Sequence, residues 1–198
     1  MRNNYIVLDL ETGGLDKLKD AILQFGFVVL DLDFKELDKG ETLVKSEKRN
    51  VTARALEVNG LNLEECENKG ATREQLYKGI KKIFEKFTVG NFKPIVVGHN
   101  SGFDIGFLNE LFLEFEDDFG NYREMYFVCT KFQMFQRYPN LAAHSLKACC
   151  SKFNIVNEKS HTALSDTLAT AKLLVELSKE AVSSIELSEE ERIVKFSF

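Results

Sequence analysis

The chain is predicted to fold as an α/β protein, with a mixed sheet flanked by helices. Apolar, β-rich runs alternate along it with segments of helical periodicity, and no internal repeat or low-complexity stretch interrupts them. The scale agrees: 198 residues at 44% hydrophobic content can bury one good core. That suits a single domain over residues 1–182 with a C-terminal tail over 183–198.

The first strand is the apolar run from Tyr5, which ends in carboxylates as Leu8-Asp9-Leu10-Glu11-Thr12-Gly13-Gly14-Leu15. Residues i and i+2 of a strand share a face, so Asp9 and Glu11 project together, roughly 6 to 7 Å apart along the backbone. Two acids on one core-facing surface repel and desolvate each other, so a cation or hydrogen-bond donors should meet them. Taken alone, the pair reads equally well as a strand fraying into a solvated acidic turn.

Ala21 to Leu30 is the second strand, and the Leu43-Val44 region supplies a third, antiparallel one, making a meander. Thr72-Arg73-Glu74-Gln75 fits a capping box. Leu76, Ile80, Ile83, Phe84 and Phe87 follow it at helical spacing, and Lys81, Lys82 and Lys86 are read as a solvated face. Pro94-Ile95-Val96-Val97-Gly98 is a short buried strand, followed by His99-Asn100-Ser101-Gly102 as a loop. A helix from about Phe103 to Phe115 carries Phe103, Phe107, Leu111 and Phe115 as a core stripe. Tyr126 to Cys129 reads as a further strand. Ser145 caps a helix with Leu146, Cys149 and Phe153, and Ala163 to about Ala181 is a long helix rich in Ala and Leu.

Composition excludes several classes. No 18-residue apolar stretch occurs, and Met1-Arg2-Asn3-Asn4 leads into a run too soon acidic for a signal peptide, so the expectation is a soluble, cytoplasmic protein with no membrane partner. Cys66, Cys129, Cys149 and Cys150 form no C-x-x-C pair and have no histidine at zinc spacing, so they are read as reduced, mostly buried thiols. A net charge of −5 opposes an electrostatic grip on long nucleic acid but leaves room for gripping a strand end.

Three further polar residues join the first pair. Asp104 falls at the start of a helix directly after a strand, where a sheet presents residues to a crevice at its C-terminal edge; taken alone, it fits better as a cap paired with the helix dipole. Asp166 lies in the first turn of the last long helix, with His161 five residues earlier. Five residues do not share a helical face, so the two reach one site only if His161 stands outside the regular helix, which capping by Ser160 or Thr162 would ensure.

In chain order these are Asp9-x-Glu11, Asp104 in His99-Asn100-Ser101-Gly102-Phe103-Asp104, and His161-Thr162-Ala163-Leu164-Ser165-Asp166. The set resembles the DnaQ-like exonuclease superfamily, in its DEDDh branch, from about Tyr5 to Leu177. Ile22-Leu23-Gln24-Phe25-Gly26, Val58-Asn59-Gly60-Leu61 and Ser145-Leu146 are similar to secondary segments of that family. Gly13 stands where a second threonine is common, and Asn59 where histidine often occurs; both concern substrate contacts rather than chemistry. The resemblance implies a ribonuclease-H-like fold, with a five-stranded mixed sheet, and removal of nucleoside monophosphates from a 3′ end. Thr12, Gly13 and Leu15 would then lie beside the terminal nucleotide, with the glycine admitting close backbone approach. Asn100 would make an orienting contact, and Phe103 would pack either on a sugar or base or in the core.

Phosphodiester hydrolysis must stabilise an attacking and a leaving oxygen in line, and two divalent ions about 3.5 to 4 Å apart do both. Asp9, Glu11, Asp104 and Asp166 would neutralise them. Magnesium suits an all-carboxylate set, with manganese as substitute. His161, whose unperturbed pKa is near ~6.5, is the side chain able to take a proton from the attacking water near neutral pH. His144, with no motif around it, is read as structural.

Threonine directly after Glu11 is more like proofreading-subunit exonucleases than oligoribonucleases, which tilts the substrate toward single-stranded or frayed DNA. An exoribonuclease is the alternative, and a non-catalytic module is disfavoured because all five positions are present. The acidic chain suggests distributive binding with a shallow salt dependence. In the tail, Val194, Phe196 and Phe198 alternate with Lys195 and Ser197, which reads as an edge strand of the domain or a docking peptide for a partner such as a DNA polymerase.

Overall fold

Strict alternation along Tyr5–Thr12 (β1) sends Ile6, Leu8 and Leu10 to one face of a sheet and Val7 to the other, and each set joins a different apolar cluster. The computed structural model describes residues 3–157 and 162–183. β2 (Ile22–Leu30) and β3 (Glu36–Leu43) complete an antiparallel meander with β1. Two short helices, α1 (Ala53–Asn59) and α2 (Leu63–Lys69), lead to α3 (Arg73–Lys86). β4 (Ile95–Gly98) then pairs parallel to β1 and is followed by α4 (Ser101–Glu114). β5 (Phe127–Cys129) pairs parallel to β4 and runs into α5 (Thr130–Arg137), then α6 (Leu146–Lys152) and α7 (Ala163–Ser183). The sheet order is β3-β2-β1-β4-β5, the expected five-stranded mixed sheet.

Helices cover both faces. On one, Ile6, Leu8 and Leu10 meet Ile80 and Phe84 of α3 and Leu108, Leu111 and Phe112 of α4. Phe84 and Phe112 are fully buried, so truncating either to alanine would cost about 3–5 kcal/mol. On the other face, Val7, Val28, Leu30 and Val97 meet Ala171 and Leu174 of α7. No helix among the described residues is long and apolar enough to cross a membrane. Cys66, Cys149 and Cys150 are buried free thiols, and Cys129 is half-buried.

The α3 capping box forms as expected: Gln75 N donates to Thr72 Oγ1 at 3.1 Å and Thr72 N to Gln75 Oε1 at 2.8 Å. Ser145 likewise caps α6, accepting from Ala148 N. Four expectations are corrected. The third strand lies at Glu36–Leu43, where the edge sequence ELDKGETL is polar and half-exposed, and Leu43-Val44 is only its end. α1, α2 and α5 are additional helices. The loop after β4 is shorter, because α4 begins at Ser101, whose Oγ donates to Val128 O at 2.7 Å and ties the helix start to β5. Of the α3 lysines, Lys82 and Lys86 are solvated as read, Lys86 reaching Asp38 at 2.6 Å, but Lys81 is half-buried, ion-paired with Asp117 at 3.2 Å and over the Tyr122 ring. The tail beyond 183 lies outside the described residues.

Candidate active site

Asp9 and Glu11 continue the Val7 face of β1 at its C-terminal end, beneath the start of α7. Two β2 residues hold that helix start in place. Gln24, opposite Glu11, accepts the Ala163 amide on its Oε1 at 3.0 Å and donates to Glu41 Oε2 at 3.3 Å, which fixes its orientation. Gly26, opposite Asp9, has no side chain because none fits: a Cβ there would lie 2.4 Å from Ala163 C and 2.6 Å from Leu164 N. Thr162 Oγ1 accepts from Ser165 N at 3.3 Å, as a helix cap does. Asp166 thereby comes down in the first turn of α7, and carboxylate oxygens of Asp9, Glu11 and Asp166 lie within 4.8 Å of one another.

Asp104 stands just behind this trio. It occupies the first turn of α4, yet it does not cap that helix, whose N-cap Asn100 makes no side-chain cap bond. Instead its Oδ1 accepts the Leu10 amide of β1 at 3.1 Å, which locks α4 to the strand between the two catalytic candidates. Sequence reading missed Asn157. Its Nδ2 donates to Asp166 Oδ1 at 2.5 Å while its Oδ1 accepts from Ser165 Oγ at 2.6 Å, so one amide fixes the orientation of the Asp166 carboxylate.

The electrostatics are those of a site awaiting positive charge. Burial, then the neighbouring Asp104, Glu11 and Asp166, push the Asp9 carboxyl well above its usual range. Burial and Asp166 raise Glu11 to about 7. Burial also raises Asp104 to about 7, against the lowering effect of the Leu10 amide. Among the described residues, no Lys or Arg forms an ion pair with any of the four. A converging set of hard oxygens without a counter-charge fits a divalent cation.

Beside Glu11 opens a cleft of roughly 260 Å³ lined by Thr12, Leu15, Arg54, Val58, Asn59 and Phe103, among others. Leu15 stands at its mouth, 86% exposed. Thr12 Oγ1 donates to Gly14 O at 2.7 Å and shapes the turn. Gly13 and Asn100 stand apart from the cleft wall. Gly13 is buried behind the lining, where a Cβ would meet Asn50 O at 2.4 Å, so its missing side chain admits the chain's own backbone. Asn100 is exposed, sits in a left-handed turn (φ 90°), and is not part of the cleft wall. Asn59 is turned onto the backbone, donating to Thr12 O and accepting from Leu61 N. Arg54 escaped notice because α1 did, and Val58, read only as part of a turn, lies on that helix and in the cleft wall. His161 lies outside the described residues. His144 is structural, as read: its Nε2 bonds Tyr138 O, and its carbonyl meets His99 Nε2.

A D-x-E strand end, acids on two later helices and a mixed five-stranded sheet define a ribonuclease-H-like nuclease architecture. Residues 6–174 match the RNase T family model, described as exonuclease, and the chain belongs to this family of DnaQ-like 3′-5′ exonucleases. It is 29% identical over 181 residues to the PolC-type DNA polymerase III of Listeria monocytogenes, covering 89% of this chain and 11% of that protein. The PolC-type enzyme of Thermotoga petrophila is also 29% identical, over 171 residues, with 86% and 12% covered. The chain therefore spans only about a tenth of the length of these curated relatives. E. coli exonuclease I in complex with a dT13 oligonucleotide superposes with a TM-score of 0.76 at 18% identity, over 92% of this chain and 43% of that one. The zinc-bound form of its single-stranded DNA complex gives 0.77, also at 18%, over 93% and 42%. At that identity the likeness shows the shared fold.

Proposed function

We propose that the chain releases nucleoside 5′-monophosphates from the 3′ ends of single-stranded or frayed DNA, with Mg²⁺ as its ion and Mn²⁺ as substitute. The observation that carries this reading is the uncompensated trio Asp9, Glu11 and Asp166, with Asp104 behind it and Glu11 in the wall of a cleft of nucleotide size. Those four acids would hold the ions, which when bound activate water and offset charge on the leaving oxygen. Asn157 holds Asp166 in its rotamer, and the Leu10 amide holds Asp104. Leu15, Val58 and Phe103 present apolar surface to the terminal sugar and base, and Thr12 shapes the turn beside it. His161 accepts the proton of the attacking water.

The DNA assignment draws support from threonine after Glu11, from the polymerase relatives, and from the DNA oligonucleotide held by a protein of the same fold. A place beside a DNA polymerase belongs to the same reading. Paired ends must fray before they reach the cleft, which costs on the order of 1 to 2 kcal/mol per base-pair step, so mismatched ends should be cut faster than blunt ones. Matched DNA and RNA single strands digested side by side in Mg²⁺ test the proposal. The expected result is a ladder of single-nucleotide steps from the 3′ end of the DNA. Internal cuts, or digestion of RNA without action on DNA, would reassign the substrate.

A further inference from the structure

Charge is distributed unevenly along the chain. Residues Met125–Asn157, which span β5, α5 and α6, contain four of its 26 Lys and Arg and none of its 31 Asp and Glu. α5 begins at the same sheet edge as the acidic cluster, because Cys129 pairs with Gly98 and Thr130 Oγ1 donates to Gly98 O. Met134 packs α5 against Leu173 and Leu177 of α7, on the face of the sheet that carries Asp9 and Glu11. Its outer side shows Phe132, 58% exposed, and Phe135, 56% exposed, one helical turn apart, beside the exposed Lys131. Phe135 is braced edge-on by His144, just before α6, and the segment after α6 sets Asn157 on Asp166. The start of α5 thus shares a sheet edge with the acidic trio, and the nucleotide-sized cleft opens beside Glu11 of that trio.

We propose that the exposed face of α5 binds the nucleotides preceding the 3′ terminus of a single strand, with Phe132 and Phe135 stacking bases and Lys131 meeting a phosphate. This rests on the exonuclease reading above. A single strand offers π-faces and regular negative charge, and the surface answers both without sequence preference. The helix also begins at the sheet edge where the strand must end. A protein partner with an acidic, apolar face would use the same residues but would have no reason to couple to substrate length.

Two substrates separate these cases: a single-stranded oligothymidylate, and the p-nitrophenyl ester of thymidine 5′-monophosphate, which can fill only the cleft. The double variant Phe132→Ala/Phe135→Ala should raise KM for the oligonucleotide about tenfold or more while leaving kcat, ester hydrolysis and the melting temperature unchanged. Lys131→Glu should act in the same direction. An unchanged oligonucleotide KM, or equal losses on both substrates, would overturn the inference. A wild-type protein that hydrolyses neither substrate would instead refute the exonuclease reading. Fluorescence anisotropy of a labelled oligonucleotide in EDTA then decides the surface separately: weaker binding by the double variant sustains it, and equal binding overturns it.

Discussion

Glu11 and Asp104, both raised to about 7, and Asp9, raised well above its usual range by burial and its acidic neighbours, retain protons in the metal-free protein that the unfolded chain would release at lower pH. Between the ordinary carboxylate range and 7 the folded state therefore binds more protons than the unfolded state, and its stability falls as pH rises. The metal-free protein should melt at a lower temperature at pH 8 than at pH 5, and Mg²⁺ should remove most of that difference by replacing the protons. Thermal scans in EDTA and in Mg²⁺ check this, and a metal-free melting temperature that climbs with pH would contradict the burial of uncompensated acids. Asn157 acts at the same scale. Freed of the Asn157 amide, the Asp166 carboxylate can rotate away, so Asn157→Ala should raise the Mg²⁺ needed for half-maximal rate by about 10–100-fold and recover most of the rate at saturation. An unchanged Mg²⁺ titration would reduce Asn157 to a loop residue.

At the scale of elements, the site depends on how closely α7 approaches β2. Gly26→Ala would place a methyl against backbone atoms of Ala163 and Leu164, which cannot rotate aside, so α7 must lift. We expect a loss of about 1–3 kcal/mol together with a fall in activity, because Asp166 leaves the trio with the helix. Denaturation and turnover measured on the one variant decide whether the two losses travel together; full activity would show that the helix start is not what positions Asp166.

Elements were legible where the pattern is local. β1 announces itself by alternation, α3 by its capping box, and β4 by an unbroken apolar run. β3 was displaced because an edge strand can be polar on both faces, and α5 was missed because only Thr130 and Met134 of its eight residues are buried. α1 and α2 are seven residues each, too short for periodicity, although the N-caps Thr52 and Asn62 and the left-handed Gly60 bracket them. The four acids, ambiguous one by one, could be read because their order along the chain resembles that of an exonuclease family. Asn157 could not, since its partner lies nine positions on, across a loop. The packing of Asn50 on Gly13 could not be read either, since a sequence shows that close approach is permitted but not by what.

In the molecule as a whole, a net charge of −5 coexists with an acid-free stretch beside the site. Repulsion from the bulk of the surface and attraction at one face favour brief contacts near a strand end. With at most four basic residues on that stretch, the slope of log affinity on log salt should stay shallower than about 3 for a single strand. The central claim, however, is that four carboxylates from β1, α4 and α7 act as one ion-holding unit. Turnover of a 3′-labelled single strand in Mg²⁺, for the alanine variants of Asp9, Glu11, Asp104 and Asp166 with folding checked by circular dichroism, tests it most directly. The account predicts a folded protein and a loss of about 10²-fold or more for every one of the four, because each misplaces an ion. Near wild-type turnover in any one well-folded variant would contradict it.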